Sequence, residues 1–146
     1  MPLTLQTDAG TELQLVLTHV NTSATHIQVG GAISVIYDIY NSDIYNIYLQ
    51  LPEDTKWFKA NLGGRGYYRV QYPEAEWRAL TAQLAADHTQ LGAVDRAQLI
   101  DDAFSLLRAG QLPPTVPLEL VAGYLARERS LVAWEVRENI LWPNNI

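Results

Sequence analysis

The sequence predicts an α+β fold, with a small antiparallel β-sandwich over residues 1–72 followed by antiparallel α-helical hairpins over residues 73–146. Two observations predict this division. Seven of the eight tyrosines and most β-branched residues precede Pro73, whereas Ala, Leu, Arg and Glu dominate after it; the first set favours strands and the second favours helices. Apolar residues alternate over residues 11–18 but recur at helical spacing beyond Pro73. We therefore expect two small domains with their boundary after Tyr72.

The first range contains several candidate strands separated by turn residues. Alternation of apolar and polar residues over 11–18 predicts a strand with one buried face. The dipeptide Ile-Tyr occurs four times between residues 36 and 48 and is interrupted by Asn41-Ser42-Asp43, so we expect a hairpin that turns at those three residues. The tyrosines could form a stacking platform for a ligand, but aromatic pairs across strands are more typical of a core.

A glycine-rich turn separates two further strand segments, at residues 56–61 and 67–72. The three glycines Gly63, Gly64 and Gly66 are expected to supply the positive φ angles of a tight reversal. A phosphate-binding loop is excluded, because the glycines are followed by a strand and not by the helix N-terminus that binds phosphate.

Helical periodicity begins at Pro73. The expected inward faces are Trp77, Leu80, Thr81 and Leu84 on a first helix, Ala97, Ile100, Ala103, Phe104 and Leu107 on a second, and Leu118, Val121, Ala122 and Leu125 on a third. Asp95 is expected to cap the second helix, which Gly110 closes. A fourth helix should begin near Ser130 and end before Pro143. Short connections between such helices predict antiparallel hairpins.

Composition excludes several classes of function. The 146 residues carry a formal net charge of −6, which argues against a nucleic-acid partner bound through a basic face. The chain has no cysteine, so disulfides, thiolate nucleophiles and Cys-ligated metals are excluded. No apolar stretch approaches the ~20 residues that span a bilayer, and the first residues do not form a secretory signal.

The three histidines allow a test for zinc. A helical zinc peptidase site needs two histidines four residues apart with a glutamate after the first. His19, His26 and His88 are followed by Val20, Ile27 and Thr89, so this motif is absent. We expect all three to be ordinary surface or half-buried residues.

Several motifs occur in the order found in one enzyme family. They are WFKAN at 57–61, GYYRVQY at 66–72, WRAL at 77–80, DRAQLIDDAF at 95–104, RER at 127–129 and VAWE at 132–135. This set closely resembles the zinc aminopeptidases of the aminopeptidase N and glutamyl aminopeptidase kind. In that family such a strand closes a small β-sandwich and such a helix opens a C-terminal helical domain. The resemblance runs from about Lys56 to Glu135.

The resemblance implies a parent enzyme that removes N-terminal residues from peptides by attack of a zinc-bound water on the scissile carbonyl. That chemistry also needs a Gly-Ala-Met-Glu-Asn segment, and Met1 is the sole methionine of this chain. We therefore assign no catalytic, cofactor-binding or metal-binding residue here. Zinc would belong to the catalytic domain of the parent.

The polar residues of the second helix are given structural roles. Asp101 and Asp102 point about 100° apart on a helix and cannot form one acid–base pair. One of them is expected to pair with Arg96 or with a backbone amide near the junction of the sandwich and the helices. Arg69 is expected to form a pairing of the same kind. Asn21-Thr22-Ser23 is a glycosylation acceptor triplet, which matters only in a secreted chain.

The sequence thus predicts a non-catalytic portion of an aminopeptidase-like protein. Its partners would be the catalytic and remaining helical domains of that parent, or a second copy bound through exposed helical faces. Exposed apolar surface on the helices is expected where such partners pack. A free-standing module that binds a peptide or protein is the alternative, and a hydrolase with an unrecognised site is a third interpretation.

Overall fold

The computed structural model describes residues 2–10, 12–16, 31–38, 44–51 and 54–135. Within these residues six strands precede three α-helices, an α+β arrangement, as the composition predicts. The strands are β1 (Pro2–Thr7), β2 (Glu12–Val16), β3 (Gly31–Asp38), β4 (Ile44–Gln50), β5 (Phe58–Ala60) and β6 (Tyr68–Gln71). The helices are α1 (Glu74–Asp87), α2 (Ala93–Arg108) and α3 (Thr115–Tyr124). Residues 131–135 are also helical.

The strands form two antiparallel three-stranded sheets. Their orders are β2-β1-β5 and β4-β3-β6. The hairpin predicted around the Ile-Tyr repeat is confirmed by the pairing of β3 with β4, in which Tyr37 lies opposite Ile44. The predicted turn at residues 41–43 and the tyrosine side chains of the hairpin lie outside the described residues.

An aromatic cluster joins β5, β6 and α1. The ring of Tyr72, directly after β6, meets the ring of Phe58 edge-on at 5.6 Å and the ring of Trp77 at 5.0 Å. The Tyr72 hydroxyl accepts a hydrogen bond from the amide of Ala60 at 3.0 Å. All four residues are buried, so these contacts connect the two sheets with the start of the first helix.

The glycine-rich turn between β5 and β6 differs from the expectation at one position. Gly63 and Gly64 have positive φ angles, but the third residue in the left-handed region is Asn61, with φ 57°, and not Gly66. Gly66 is required for a different reason. A Cβ at this position would lie 2.0 Å from Cε1 of Tyr68, so the tyrosine ring occupies the space that any other side chain would need.

The inward faces predicted for the first two helices are right in part, and the predicted cap of α2 is wrong. Trp77, Leu80 and Leu84 of α1 are fully buried. In α2 the predicted residues Ala97, Ile100 and Ala103 are buried, but Phe104 and Leu107 are half-buried, as is Thr81 of α1. Leu99 and Leu106 are buried in their place. In α2 the N-cap is Gly92 and not Asp95, which lies in the first turn. The helix begins three residues earlier than expected, because the chain passes from α1 through only a 3₁₀ turn, His88–Gln90, and Leu91 before it reaches Gly92.

The third helix turns a different face inward from the one predicted. Val116, Pro117, Leu120 and Tyr124 are buried. Of the residues predicted to be inward, Leu118 is 57% exposed and Ala122 is exposed, while Val121 and Leu125 are half-buried. The prediction was wrong because this segment is apolar on both sides, so helical spacing alone does not distinguish the two faces.

The chain divides into two compact units, Met1–Ala79 and Leu80–Ile146. The first contains both sheets, and α1 contributes residues to each unit. No helix in the described part of the chain has the length and apolar character needed to cross a membrane.

Candidate functional site

The described residues offer no site for a metal. No group of three or more His, Asp or Glu side chains that could hold an ion is present in residues 2–10, 12–16, 31–38, 44–51 and 54–135. His88 lies in the 3₁₀ turn after α1, with its ring 6.1 Å from that of Tyr124. His19 and His26 lie outside the described residues. The donor set of the described part therefore does not fit catalytic zinc, and no chemical step is assigned to it.

The most elaborate polar cluster lies in the second unit, around Arg96 of α2 and Glu128. The Arg96 Nε donates to Glu128 Oε2 at 2.7 Å, and Nη2 donates to Oε1 at 2.9 Å. The remaining nitrogen, Nη1, donates to the carbonyl of Leu91 at 2.6 Å and to that of His88 at 3.3 Å. The guanidinium thus connects three segments of the second unit: α2, the turn that precedes it, and the chain beyond α3.

Glu128 accepts further hydrogen bonds besides those from Arg96. Its Oε1 also accepts from the amides of Arg129 at 2.9 Å and Ser130 at 2.7 Å. Its carbonyl accepts from the indole nitrogen of Trp134 at 3.0 Å. Burial by itself would raise the pKa of Glu128, but the hydrogen bonds from Arg96 and Ser130 outweigh it and lower the pKa to about 2. A carboxylate engaged in this way has a structural role and is not available as a general base.

The acid that pairs with Arg96 is therefore not the one expected from the sequence. The sequence predicts that Asp101 or Asp102 pairs with Arg96 or with a backbone amide. Glu128 takes this role from 32 residues away. No local spacing identifies such a pair; the only sequence signal is that DRAQLIDDAF and RER, which contain the two partners, both belong to the family pattern.

Tyr124 lies beside this pair at the end of α3. Burial raises the pKa of its hydroxyl, and the charge of Glu128 raises it further. That hydroxyl is buried beside the side chains of Glu128 and Arg96. A phenol held neutral in this way adds apolar contact around the ion pair and offers no proton near neutral pH.

The turn at Asn61 is the second ordered polar feature, and it belongs to the first unit. Asn61 Nδ2 donates to the carbonyls of Gly66 at 2.9 Å and Tyr68 at 3.1 Å, while its Oδ1 accepts from the amide of Gly66 at 2.8 Å. The hydroxyl of Thr4 accepts from the amide of Leu62 at 2.8 Å. One buried side chain therefore closes the whole turn, which is a structural role.

The pKa of Glu76, in the first turn of α1, is raised to about 7. Its Oε1 accepts from the amide of Phe58 at 2.7 Å. Burial is the largest cause of the raised pKa, the hydrogen bond from Phe58 opposes it, and the nearby charge of Asp8 adds to it.

The second unit also exposes large apolar side chains. Leu118 is 57% exposed and Leu131 is 70% exposed, and Val94 and Val132 are exposed as well. Leu118, Val121, Ala122 and Leu125 share one side of α3 and its continuation, because positions three, four and seven apart lie on one helical face. The helix α3 is therefore apolar on its buried face and on its exposed face.

Residues 57–139 match the family model described as ERAP1-like C-terminal domain. This match covers more than half of the chain. The chain belongs to this family.

Among curated proteins, the chain is similar to a hormone-degrading ectoenzyme and to aminopeptidases. It is 44% identical over 87 residues to the thyrotropin-releasing hormone-degrading ectoenzyme of Mus musculus, covering 60% of this chain and 8% of the enzyme. It is 41% identical over 80 residues to human aminopeptidase N, covering 55% of this chain and 8% of the enzyme. It is 37% identical over 110 residues to glutamyl aminopeptidase of Bitis rhinoceros, covering 73% of this chain and 11% of the enzyme.

The resemblance to aminopeptidases inferred from the motifs is thereby confirmed. The chain spans about a tenth of the length of these relatives, and the family model that it matches is a C-terminal domain. The Arg96–Glu128 pair, the Asn61 turn and Glu76 all lie within the matched residues.

Proposed function

We propose that this chain is a non-catalytic segment of a zinc aminopeptidase-like protein, in which it connects a β-sandwich to a helical domain and supports further helices. The observation that carries the proposal is the pair of apolar faces on α3. Apolar side chains on two faces of one helix are typical of a helix that packs on both sides within a larger helical assembly. One face of α3 is buried within the second unit, while Leu118 on the other face is 57% exposed.

The polar cluster supports the same role. Arg96 and Glu128 are buried and fully engaged with each other and with backbone groups, so they fix the relative positions of α2 and the chain beyond α3. Such an arrangement suits a rigid support for additional helices. Hydrolysis of peptides would belong to the whole parent protein and not to this segment.

A chimera tests the structural role. Residues 57–139 of this chain would replace the aligned segment of human aminopeptidase N, and hydrolysis of an aminoacyl p-nitroanilide would be measured. We expect a soluble enzyme with activity within several-fold of the parent. The variant Leu118→Glu in the chimera should lower the yield of active enzyme several-fold, because it places a charge on the apolar face, whereas Glu119→Gln, a change at the neighbouring exposed position, should not. Equal yields from the two variants would contradict packing on that face.

The isolated chain tests the non-catalytic assignment. We expect no stoichiometric zinc after dialysis against the metal and no turnover of aminoacyl p-nitroanilides. Metal binding together with turnover would overturn this part of the proposal. Specific capture of a single peptide ligand by the isolated chain would instead favour the interaction module.

A further inference from the structure

Glu76 lies between an edge strand and the first turn of a helix. The strand β5 pairs with β1 along one edge, with Thr7 opposite Phe58, and it is the outer strand of its sheet. The Glu76 carboxylate accepts the Phe58 amide at 2.7 Å. The side chain therefore attaches the first turn of α1 to an edge strand whose amide would otherwise lack a partner.

The charged groups around Glu76 do not neutralise its carboxylate. Asp8, from the turn after β1, adds negative charge, and its Oδ1 is occupied by the amide of Lys56 at 3.1 Å. Lys56 itself is exposed. The ammonium of Lys59 in β5 donates to the carbonyls of Ala60 and Asn61.

On α1 itself, Glu74 forms an exposed ion pair with Arg78. Within the described part of the chain, the cations of β5 and of α1 are therefore engaged elsewhere or exposed, and Glu76 has the Phe58 amide as its hydrogen-bond donor. A partly buried carboxylate without a cationic partner favours its neutral form.

We propose that Glu76 is a proton-responsive joint, which holds the first turn of α1 on β5 firmly when it is protonated and less firmly when it is ionised. Protonation removes both the repulsion from Asp8 and the cost of burying a charge. The neutral acid can still accept the Phe58 amide through its carbonyl oxygen. The inference rests on this geometry and is independent of the proposed role in an aminopeptidase.

The direction of the pH effect follows from linkage. The pKa of Glu76 is about 7 in the folded protein and near 4.5 for an ordinary glutamate, so the folded state binds the proton more tightly. The stabilisation is fully present below pH ~4.5, is lost as pH rises towards 7, and is absent above that. One proton can change the unfolding equilibrium constant by at most about tenfold per pH unit in this window.

The test compares wild type with Glu76→Gln, which stays neutral and retains an acceptor oxygen, and with Glu74→Gln on the exposed side of the same turn. Urea unfolding would be measured from pH 4.5 to 8.5. We expect the ratio of the wild-type unfolding constant to that of Glu76→Gln to rise several-fold per pH unit up to pH ~7 and then to level off. Glu74→Gln should follow wild type. Parallel curves for wild type and Glu76→Gln would overturn the proposal.

Two measurements on the wild-type protein keep the proposal testable if Glu76→Gln does not fold. The ¹³C carboxyl resonance of Glu76 should titrate near pH 7. The opening constant of the Phe58 amide, from hydrogen exchange corrected for the intrinsic rate, should be several-fold higher at pH 8 than at pH 6. A Glu76 titration midpoint at or below pH 5, or an unchanged opening constant, would overturn it.

Discussion

Arg96 and Glu128 lie 32 residues apart in the sequence and form a bidentate ion pair, with Nε–Oε2 at 2.7 Å and Nη2–Oε1 at 2.9 Å. The side chain of Glu128 is fully buried and that of Arg96 is 10% exposed. Removing one partner of a buried pair leaves an uncompensated charge, which is far more costly than the loss of an exposed pair. We therefore expect the second unit to be sensitive to substitution of either partner.

We expect Arg96→Leu to lower the free energy of unfolding by about 3–5 kcal/mol, because the Glu128 carboxylate would be left buried and the carbonyl of Leu91 would lose its donor. Arg96→Lys should recover only part of this loss, since an ammonium cannot bind both carboxylate oxygens in the fork geometry. Urea unfolding at neutral pH measures both. The exposed pair provides the control: Arg78→Gln should cost at most about 0.5 kcal/mol. Equal costs at Arg96 and Arg78 would contradict the role given to the buried pair.

The same pair predicts an acid-dependent loss of stability. The pKa of Glu128 is lowered from the 4.5 of an ordinary glutamate to about 2 in the folded protein. The stability that the Glu128 carboxylate contributes is therefore fully present above that ordinary pKa and is lost as pH falls towards 2. We expect the stability difference between wild type and Glu128→Gln to be constant from pH 5 to 7 and to shrink below pH ~4. A difference that stays constant down to pH 2.5 would show that the carboxylate is not the stabilising form.

Local features of the fold could be predicted from the sequence where a segment has one apolar face. Trp77, Leu80 and Leu84 recur at helical spacing among polar residues, and all three are buried. Leu118 and Leu120 illustrate the opposite case. Both belong to apolar stripes of α3, so the sequence indicates two packing faces, and tertiary contacts decide that Leu120 is inside the second unit.

The candidate site could be predicted only in part. The motifs identify the family, but Glu128 is paired with Arg96 by the tertiary fold, and no spacing rule connects residues so distant. Asn61 is a similar case. An asparagine before a glycine-rich turn suggests a left-handed residue, but its three side-chain hydrogen bonds depend on the return of the chain at Tyr68.

The hydrogen bonds of Asn61 can be separated from its backbone conformation. Asn61→Gly removes the side chain but suits a φ of 57°, so we expect a loss of about 2–3 kcal/mol from the three hydrogen bonds. Asn61→Ala should cost about 1 kcal/mol more, because alanine is disfavoured in the left-handed region. Unfolding of both variants in urea gives the comparison. If Asn61→Gly were as stable as wild type, the side-chain bonds would make no net contribution.

Two glycines of the same turn should respond differently to alanine. At Gly66 the new Cβ would lie 2.0 Å from the ring of Tyr68, so the turn or the ring must move, and we expect a loss of about 3 kcal/mol. At Gly63, with φ 64°, the nearest atoms belong to the flexible side chain of Arg65 at 3.8 Å, and only the backbone strain of about 1 kcal/mol applies. Thermal unfolding of Gly66→Ala and Gly63→Ala tests this order. A larger loss at Gly63 would mean that backbone strain, and not the tyrosine ring, limits the turn.

The two faces of α3 predict contrasting effects of the same substitution. Leu120 is fully buried, so Leu120→Ala should lower the free energy of unfolding by about 2–5 kcal/mol through lost burial and a cavity. Leu118 is 57% exposed, and Leu118→Ala should change the free energy of unfolding by no more than about 0.5 kcal/mol. Urea unfolding of the two variants under identical conditions measures the difference. Equal losses would mean that Leu118 is covered in the isolated chain, by self-association or otherwise. Sedimentation velocity of wild type and Leu118→Ala would then show whether a second copy provides that cover.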